Sequence, residues 1–322
     1  MLESVCGNLR TSVLGFGCGS VMGRVGRRVS LRAMNAAWDN GITLFDTARS
    51  YGFGEAEGVV GEFLQGKRER AVVATKYGIL PQRQSGIKRI AVGVVRSAFK
   101  VPGVRGLVRG KDAKVTTFGQ FSVAGLRQSV ETSLRELRTD YVDILFLHEA
   151  TAAVLQDEEL MDALDALVRA GKILRMGPYA GAEVIDAAIE TAPQTISAAQ
   201  FGADPFSPLV AGFAARNQRE MLLMGNHPFG GEGRMMRFRS ALTAAASDET
   251  VPSELREKLQ GGGDQLVLEA LLGMALKVAG LHVLVYSMMR RDHLEANVCA
   301  VEKCRFTVPE LKLIQRRLLQ QA

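Results

Sequence analysis

One arrangement repeats along the chain and restricts its fold more than any other feature: a short apolar run rich in β-branched residues, a polar or glycine turn, then an amphipathic stretch. The runs fall at Ser12–Phe16, Ile42–Phe45, Ala71–Thr75, Val142–Leu147, Ile173–Met176, Thr195–Ala199, Met221–Met224 and His282–Tyr286, eight in all. Helical patterns follow them at Leu31–Asn40, Glu55–Gln65, Val123–Leu137, Glu158–Ala170, Glu183–Thr191, Pro208–Asn217, Gln265–Ala279 and Arg291–Glu302. Runs that are apolar throughout suit strands buried on both faces, as in a parallel sheet covered by helices. Eight β-then-α units in 322 residues predict one closed (β/α)8 TIM barrel over 1–322, not an open doubly wound sheet.

Local punctuation agrees with this reading. Ser30 is placed as the N-cap of the first helix, and Asn40-Gly41 and Gly171 stand where helices should stop. Thr307-Val308-Pro309-Glu310 combines an N-cap, a first-turn proline and a capping-box glutamate. It opens a closing C-terminal helix, Pro309–Gln320, expected outside the barrel. The stretch Leu266–Met289 is apolar, but Glu269, Lys277, Gly273 and Gly280 interrupt it, so a helix and a buried strand are expected there in place of a membrane span. The first residues lack an apolar h-region.

A hydrophobic fraction of 47% excludes a disordered or fibrous chain. Cys6, Cys18, Cys299 and Cys304 form no CxxC pair, which suits a reduced, cytoplasmic protein. The net charge of +6 is concentrated in one place. Between the third strand and the third helix, residues 80–120 carry nine Lys and Arg and one acid (Asp112), leaving −2 for the rest. This basic insertion, in which Ile90–Phe99 could be a short amphipathic helix, reads as a lid over the barrel mouth. It has no recognisable nucleic-acid-recognition helix, so neither nucleic acid nor stable membrane association is expected. His148, His227, His282 and His293 are the only histidines and form no HxH or HxxxH pair, so no metal site is expected.

In a (β/α)8 barrel, reactive groups come from the C-terminal ends of strands and the loops that follow. Asp46 ends the second strand and Tyr51 follows in a glycine-containing loop; Lys76 ends the third, His148 the fourth and Gln200 the sixth. Each alone has an ordinary explanation as a cap, a packing residue or a satisfied core group. Together, Asp46, Tyr51, Lys76 and His148 place a carboxylate, a phenol, an ammonium and an imidazole at adjacent strand exits. An ammonium beside a phenol favours phenolate, a carboxylate keeps the lysine charged, and a neutral imidazole can hold a substrate oxygen. Such a set can protonate a carbonyl oxygen but needs a hydride from outside, as a reduced nicotinamide provides.

From Leu14-Gly15-Phe16-Gly17 to Asn297 the chain resembles the aldo-keto reductase family. The match is densest at Asn40-Gly41-Ile42-Thr43-Leu44-Phe45-Asp46-Thr47-Ala48, Tyr51-Gly52 and Glu55 through Gly61, followed by Thr75-Lys76 and Leu147-His148. The resemblance implies an oxidoreductase acting on an aldehyde or ketone, or in reverse on a sugar or alcohol. Tyr51 would be its general acid/base, Lys76 and Asp46 would tune it, and His148 would orient the carbonyl. It further implies a dinucleotide contacted by Gly17, Gln200, Asn226, Ser287, Arg290, Arg291, His293 and Asn297. The two arginines, at a helix start suited to a 2′-phosphate, point to NADPH over NADH. Two positions depart from the family pattern: Pro178-Tyr179 stands for its usual Ser-Asn pair, and Asn226 stands where it carries a stacking aromatic. These departures motivate an alternative, a non-catalytic nucleotide-binding barrel that senses redox state or binds a partner.

Overall fold

The computed structural model describes residues 1–81 and 118–320 except 192, 194, 219, 229–231 and 262. Most of the basic insertion, with the helix expected at Ile90–Phe99, lies outside the described residues.

The eightfold repetition closes as expected. After an antiparallel hairpin of β1 (Glu3–Cys6) and β2 (Leu9–Ser12), eight parallel strands follow: β3 (Leu14–Gly17), β4 (Leu44–Asp46), β5 (Val72–Tyr77), β6 (Val142–His148), β7 (Ile173–Tyr179), β8 (Ala198–Gly202), β9 (Leu222–Asn226) and β10 (Val283–Tyr286). β10 pairs with both β9 and β3, which closes the barrel. The first expected run, Ser12–Phe16, is a correction: a two-residue turn at Gly7-Asn8 creates a hairpin ahead of the barrel strand. Arg175 of β7 donates to the Cys6 carbonyl at 2.7 Å, so the hairpin is bonded to a barrel strand.

Around the strands lie α1 (Arg27–Asp39), α2 (Ala56–Phe63), α3 (Val123–Leu137), α4 (Glu158–Arg169), α5 (Ala182–Thr191) and α6 (Pro208–Arg216). The seventh crossover holds more than the single helix expected: α7 (Glu232–Ser247) and α8 (Ser253–Leu259) precede α9 (Asp264–Gly273), and α10 (Arg291–Glu302) and α11 (Val308–Gln320) end the chain. Ser30 does not cap α1. The helix starts three residues earlier, with extended Gly26 at its N-cap, and the Ser30 hydroxyl donates back to the Gly26 carbonyl at 3.1 Å. The capping box on α11 is present, with Glu310 accepting from the Thr307 amide at 2.7 Å. Leu266–Met289 divides into α9, a π-helical turn at Met274–Val278, and β10. No helix among the described residues is long and apolar enough to cross a membrane.

A core of helices from the seventh crossover and α11 stands apart from a larger one formed where strands meet helices outside the barrel. A third lies within it, built on Leu44, Ala74, Ile144, Phe146, Ala198, Leu222, Met224, Val283 and Val285. Side chains of a strand alternate between faces, so the inward positions of each strand run on, two residues at a time, to its C-terminal end. Leu44 leads to Asp46, Ala74 to Lys76, Phe146 to His148, Ala198 to Gln200 and Met224 to Asn226. The apolar interior therefore ends in a ring of polar groups at one mouth. Between β7 and β8 the backbones approach so closely that a Cβ on Gly177 would lie 1.6 Å from the Ala198 carbonyl oxygen.

Candidate active site

Lys76 is the best-held member of this ring. It is fully buried, and its ammonium donates to Asp46 Oδ1 at 2.5 Å and to the Thr47 carbonyl at 2.8 Å. A buried ammonium is tolerated only with such partners. Tyr51 reaches the site from the turn Tyr51–Gly54, where Gly52, Phe53 and Gly54 all have positive φ. Only glycine fits the second position, since a Cβ on Gly52 would fall 2.5 Å from the Val21 carbonyl oxygen. Lys76 Nζ lies 5.1 Å from the Tyr51 ring centroid, and the Tyr51 and His148 rings meet edge-on with centroids 6.1 Å apart. Asp46, Tyr51, Lys76 and His148, predicted from three strand exits, do come together.

Burial sets the protonation states. It pushes the His148 imidazole down to about 3, with the nearby Lys76 ammonium adding to the effect, so the ring is neutral as expected. The Tyr51 phenol moves the other way from the expectation. Burial first and the Asp46 carboxylate second raise it well above its ordinary value, so desolvation overrides any lowering by Lys76. Cys18, buried beside Asp46, is likewise held as an inert thiol.

Sequence reasoning missed Glu57, a buried carboxylate on α2. It accepts from Thr75 Oγ1 at 2.6 Å and from Arg49 at 2.8 Å, fixing the residue next to Lys76. Its one sequence signal was an acid on the apolar side of a helix. Tyr179, which ends β7, also belongs to the site: it stacks on His148 with centroids 5.0 Å apart, and Lys76 Nζ lies 5.9 Å from its ring centroid.

The residues expected to meet a dinucleotide are distributed around the rest of the mouth. Gln200 is fully buried, and neither its amide oxygen nor its nitrogen has a hydrogen-bond partner. An unpaired buried amide costs about 1–3 kcal/mol, and a primary carboxamide offers both the donor and the acceptor it lacks. The residues present thus fit the carboxamide of a nicotinamide. Gly17 ends β3 against the backbone of Tyr286 and Ser287, and the Ser287 hydroxyl lies 3.3 Å from that of Ser20. Arg290 and Arg291, at the start of α10, are exposed and already paired, with Asp292 and Glu295. His293 is exposed in the first turn, and Asn297 is buried in the same helix. Among the described residues, no three His, Cys, Asp or Glu lie together as a metal site would require.

An aldo-keto reductase from Bacillus halodurans superposes on this chain with a TM-score of 0.68, covering 98% of it and 96% of that chain at 23% identity. At that identity the likeness shows the fold. An NADP(+) aryl-alcohol dehydrogenase of Phanerodontia chrysosporium is 29% identical over 160 residues, and norsolorinic acid reductase A of Aspergillus parasiticus is 31% identical over 173. The matches span 48% and 52% of this chain but only 35% and 37% of those two relatives. The profile of the aldo/keto reductase family matches residues 13–317, nearly the whole barrel, and the chain belongs to that family.

Proposed function

We propose that the protein is an NAD(P)H-dependent oxidoreductase that reduces an aldehyde or ketone to an alcohol, or runs the reverse reaction, with NADPH preferred. The observation that carries this reading is the buried Lys76–Asp46 pair 5.1 Å from the ring of a phenol held protonated, facing a neutral imidazole across one mouth. Tyr51 donates its proton to the carbonyl oxygen as negative charge develops there. Lys76, anchored by Asp46 and the Thr47 carbonyl, then stabilises the phenolate, which burial alone would disfavour. His148, neutral across the physiological range, hydrogen-bonds the same oxygen and fixes the direction of approach. A nicotinamide dinucleotide, when bound, supplies or accepts the hydride. Gln200 would hold its carboxamide, and Ser287, Arg290, Arg291 and Asn297 its adenosine end. The two arginines support NADPH, although each must exchange a carboxylate partner for the 2′-phosphate.

The substrate is a small carbonyl compound. The name of the aryl-alcohol dehydrogenase supports an aromatic one, and the exposed Phe53 beside Tyr51 supplies an apolar lip to match.

The test is NADPH consumption across a panel of aromatic and aliphatic aldehydes and ketones, with Tyr51→Phe as the comparison. That variant keeps the ring and removes the proton, so turnover should fall about 10²–10⁴-fold while NADPH affinity holds. A loss under about tenfold would refute the role of Tyr51. The stacking of Tyr179 on His148 favours the second reading, a barrel that binds nucleotide without turning it over. Quenching of NADPH fluorescence without consumption on any carbonyl would select it.

A further inference from the structure

Glu57 is a buried carboxylate on α2, and the reaction proposed above gives it no task. Its two oxygens serve different parts of the site. Oε1 accepts from the Thr75 hydroxyl at 2.6 Å, and Oε2 accepts from the Arg49 guanidinium at 2.8 Å. Thr75 precedes Lys76 on β5, a strand fixed by ladder pairing to β4 on one side and β6 on the other. Arg49 belongs to the loop that leaves β4 after Asp46, presents the Thr47 carbonyl to Lys76 and arrives at Tyr51. One carboxylate therefore ties a rigid strand to the loop that carries the acid. That loop needs a tie. Gly52, Phe53 and Gly54 all have positive φ, with Phe53 at 61°, and Ser50 at the head of the turn makes no side-chain cap. Arg49 and Glu57 flank the turn, so their ion pair closes the chain across it. The two side chains are only 15% and 1% exposed, which shields the pair from water and makes its geometry firm.

We propose that Glu57 is a positioning residue for the acid: anchored on Thr75, it clamps Arg49 and so sets how the Tyr51 ring faces Lys76. The clamp rests on the reading of Tyr51 as the proton donor. Glu57 lies behind β5, away from the mouth, so it acts on the reaction through the placement of Tyr51 and not through binding. A reacting group displaced by about 1 Å can cost about 10²-fold in rate, and the loss belongs in kcat.

The experiment uses the intact chain and two readouts. One is the kinetics of NADPH with benzaldehyde, or with the carbonyl of the panel above that turns over fastest. The other is amide hydrogen exchange over residues 47–54. Glu57→Gln puts an amide NH2 where one of the two acceptor oxygens stood. Arg49→Met/Glu57→Gln does the same and leaves no arginine stranded, and Thr75→Val cuts the anchor without touching a charge. In the first two variants kcat should fall about 10–100-fold, with both KM values held within about twofold and faster exchange in the loop. Thr75→Val should act in the same direction and less. In the Tyr51→Phe background, Glu57→Gln should change the residual rate by less than about twofold, because its effect passes through the phenol. An unchanged kcat, a rise in KM alone, or an equal further loss in the Tyr51→Phe background would overturn the clamp. If the wild type consumes NADPH with no carbonyl, the oxidoreductase reading falls, and exchange alone decides the clamp. Faster exchange in Glu57→Gln then retains it, and unchanged exchange removes it.

Discussion

His148 makes the stability of the barrel depend on acid in a way that can be isolated. Its folded-state pKa is about 3, against 6.5 for an unburied imidazole, because burial and then Lys76 disfavour the charged ring. The unfolded chain therefore takes up this proton first. Its contribution is constant above the unfolded value and is lost as pH falls from about 6.5 toward 3. Each pH unit within that window is worth about 1.4 kcal/mol per proton, so moving from neutral pH to pH 5 should cost about 2 kcal/mol from this residue alone. His148→Gln keeps a polar side chain that does not titrate. Urea unfolding of both proteins at pH 7.5 and pH 5.0 gives four stabilities. The wild type should lose about 2 kcal/mol more than the variant between the two pH values. His282, also lowered by burial, and the buried Asp143, raised by it, are common to both proteins and cancel in the difference. Equal losses in the two proteins would refute the argument and mean that His148 meets solvent or a proton acceptor in the folded state.

Lys76→Met should cost about 3–5 kcal/mol because it strands the Asp46 carboxylate in the interior, and Lys76→Met/Asp46→Leu should recover much of that in urea unfolding; a double variant as unstable as the single would disprove the charge argument. Gly177→Ala forces a methyl into the Ala198 carbonyl and should destabilise by about 3 kcal/mol or more, and a loss under about 1 kcal/mol would show that β7 and β8 separate cheaply. Arg290→Ala with Arg291→Ala should lower the preference for NADPH over NADH by at least about tenfold in competition binding, whereas equal effects on both nucleotides would make the pair an ordinary exposed face.

The barrel was legible because burial on both faces leaves a mark that survives in one dimension: runs such as Ile144–Leu147 are apolar at every position. Asp46, Lys76 and His148 could be read because each is the last inward residue of such a run, where the period of two carries the core to the mouth. What escaped depended on partners distant in sequence. The hairpin β1–β2 merged with the first barrel strand because a single residue, Val13, separates Ser12 from Leu14. Helix α7 was missed although Phe238, Leu242 and Ala245 are buried at helical spacing, because arginines and alanines crowd the stretch around them. The stack of Tyr179 on His148 joins residues that only the pairing of β6 with β7 brings near. The direction of the Tyr51 shift follows from how deeply the phenol is buried, a property of the fold and not of the residues beside it in sequence.

The core beneath the seventh crossover has a consequence for how this protein's unfolding can be observed. Phe238, Leu242, Leu255, Leu266, Leu311 and Leu318 come from α7, α8, α9 and α11, and they pack with one another separately from the larger barrel cluster. The chain has one tryptophan, and Trp38 sits half-buried on α1 against Phe45 and Phe63, packed on that larger cluster. Its emission reports the barrel and is blind to the helical annex. Far-ultraviolet circular dichroism weighs the annex heavily, because four helices supply it. If the two cores are separate cooperative units, the optical signals trace two curves with different midpoints, and a single free energy of unfolding belongs to the barrel alone.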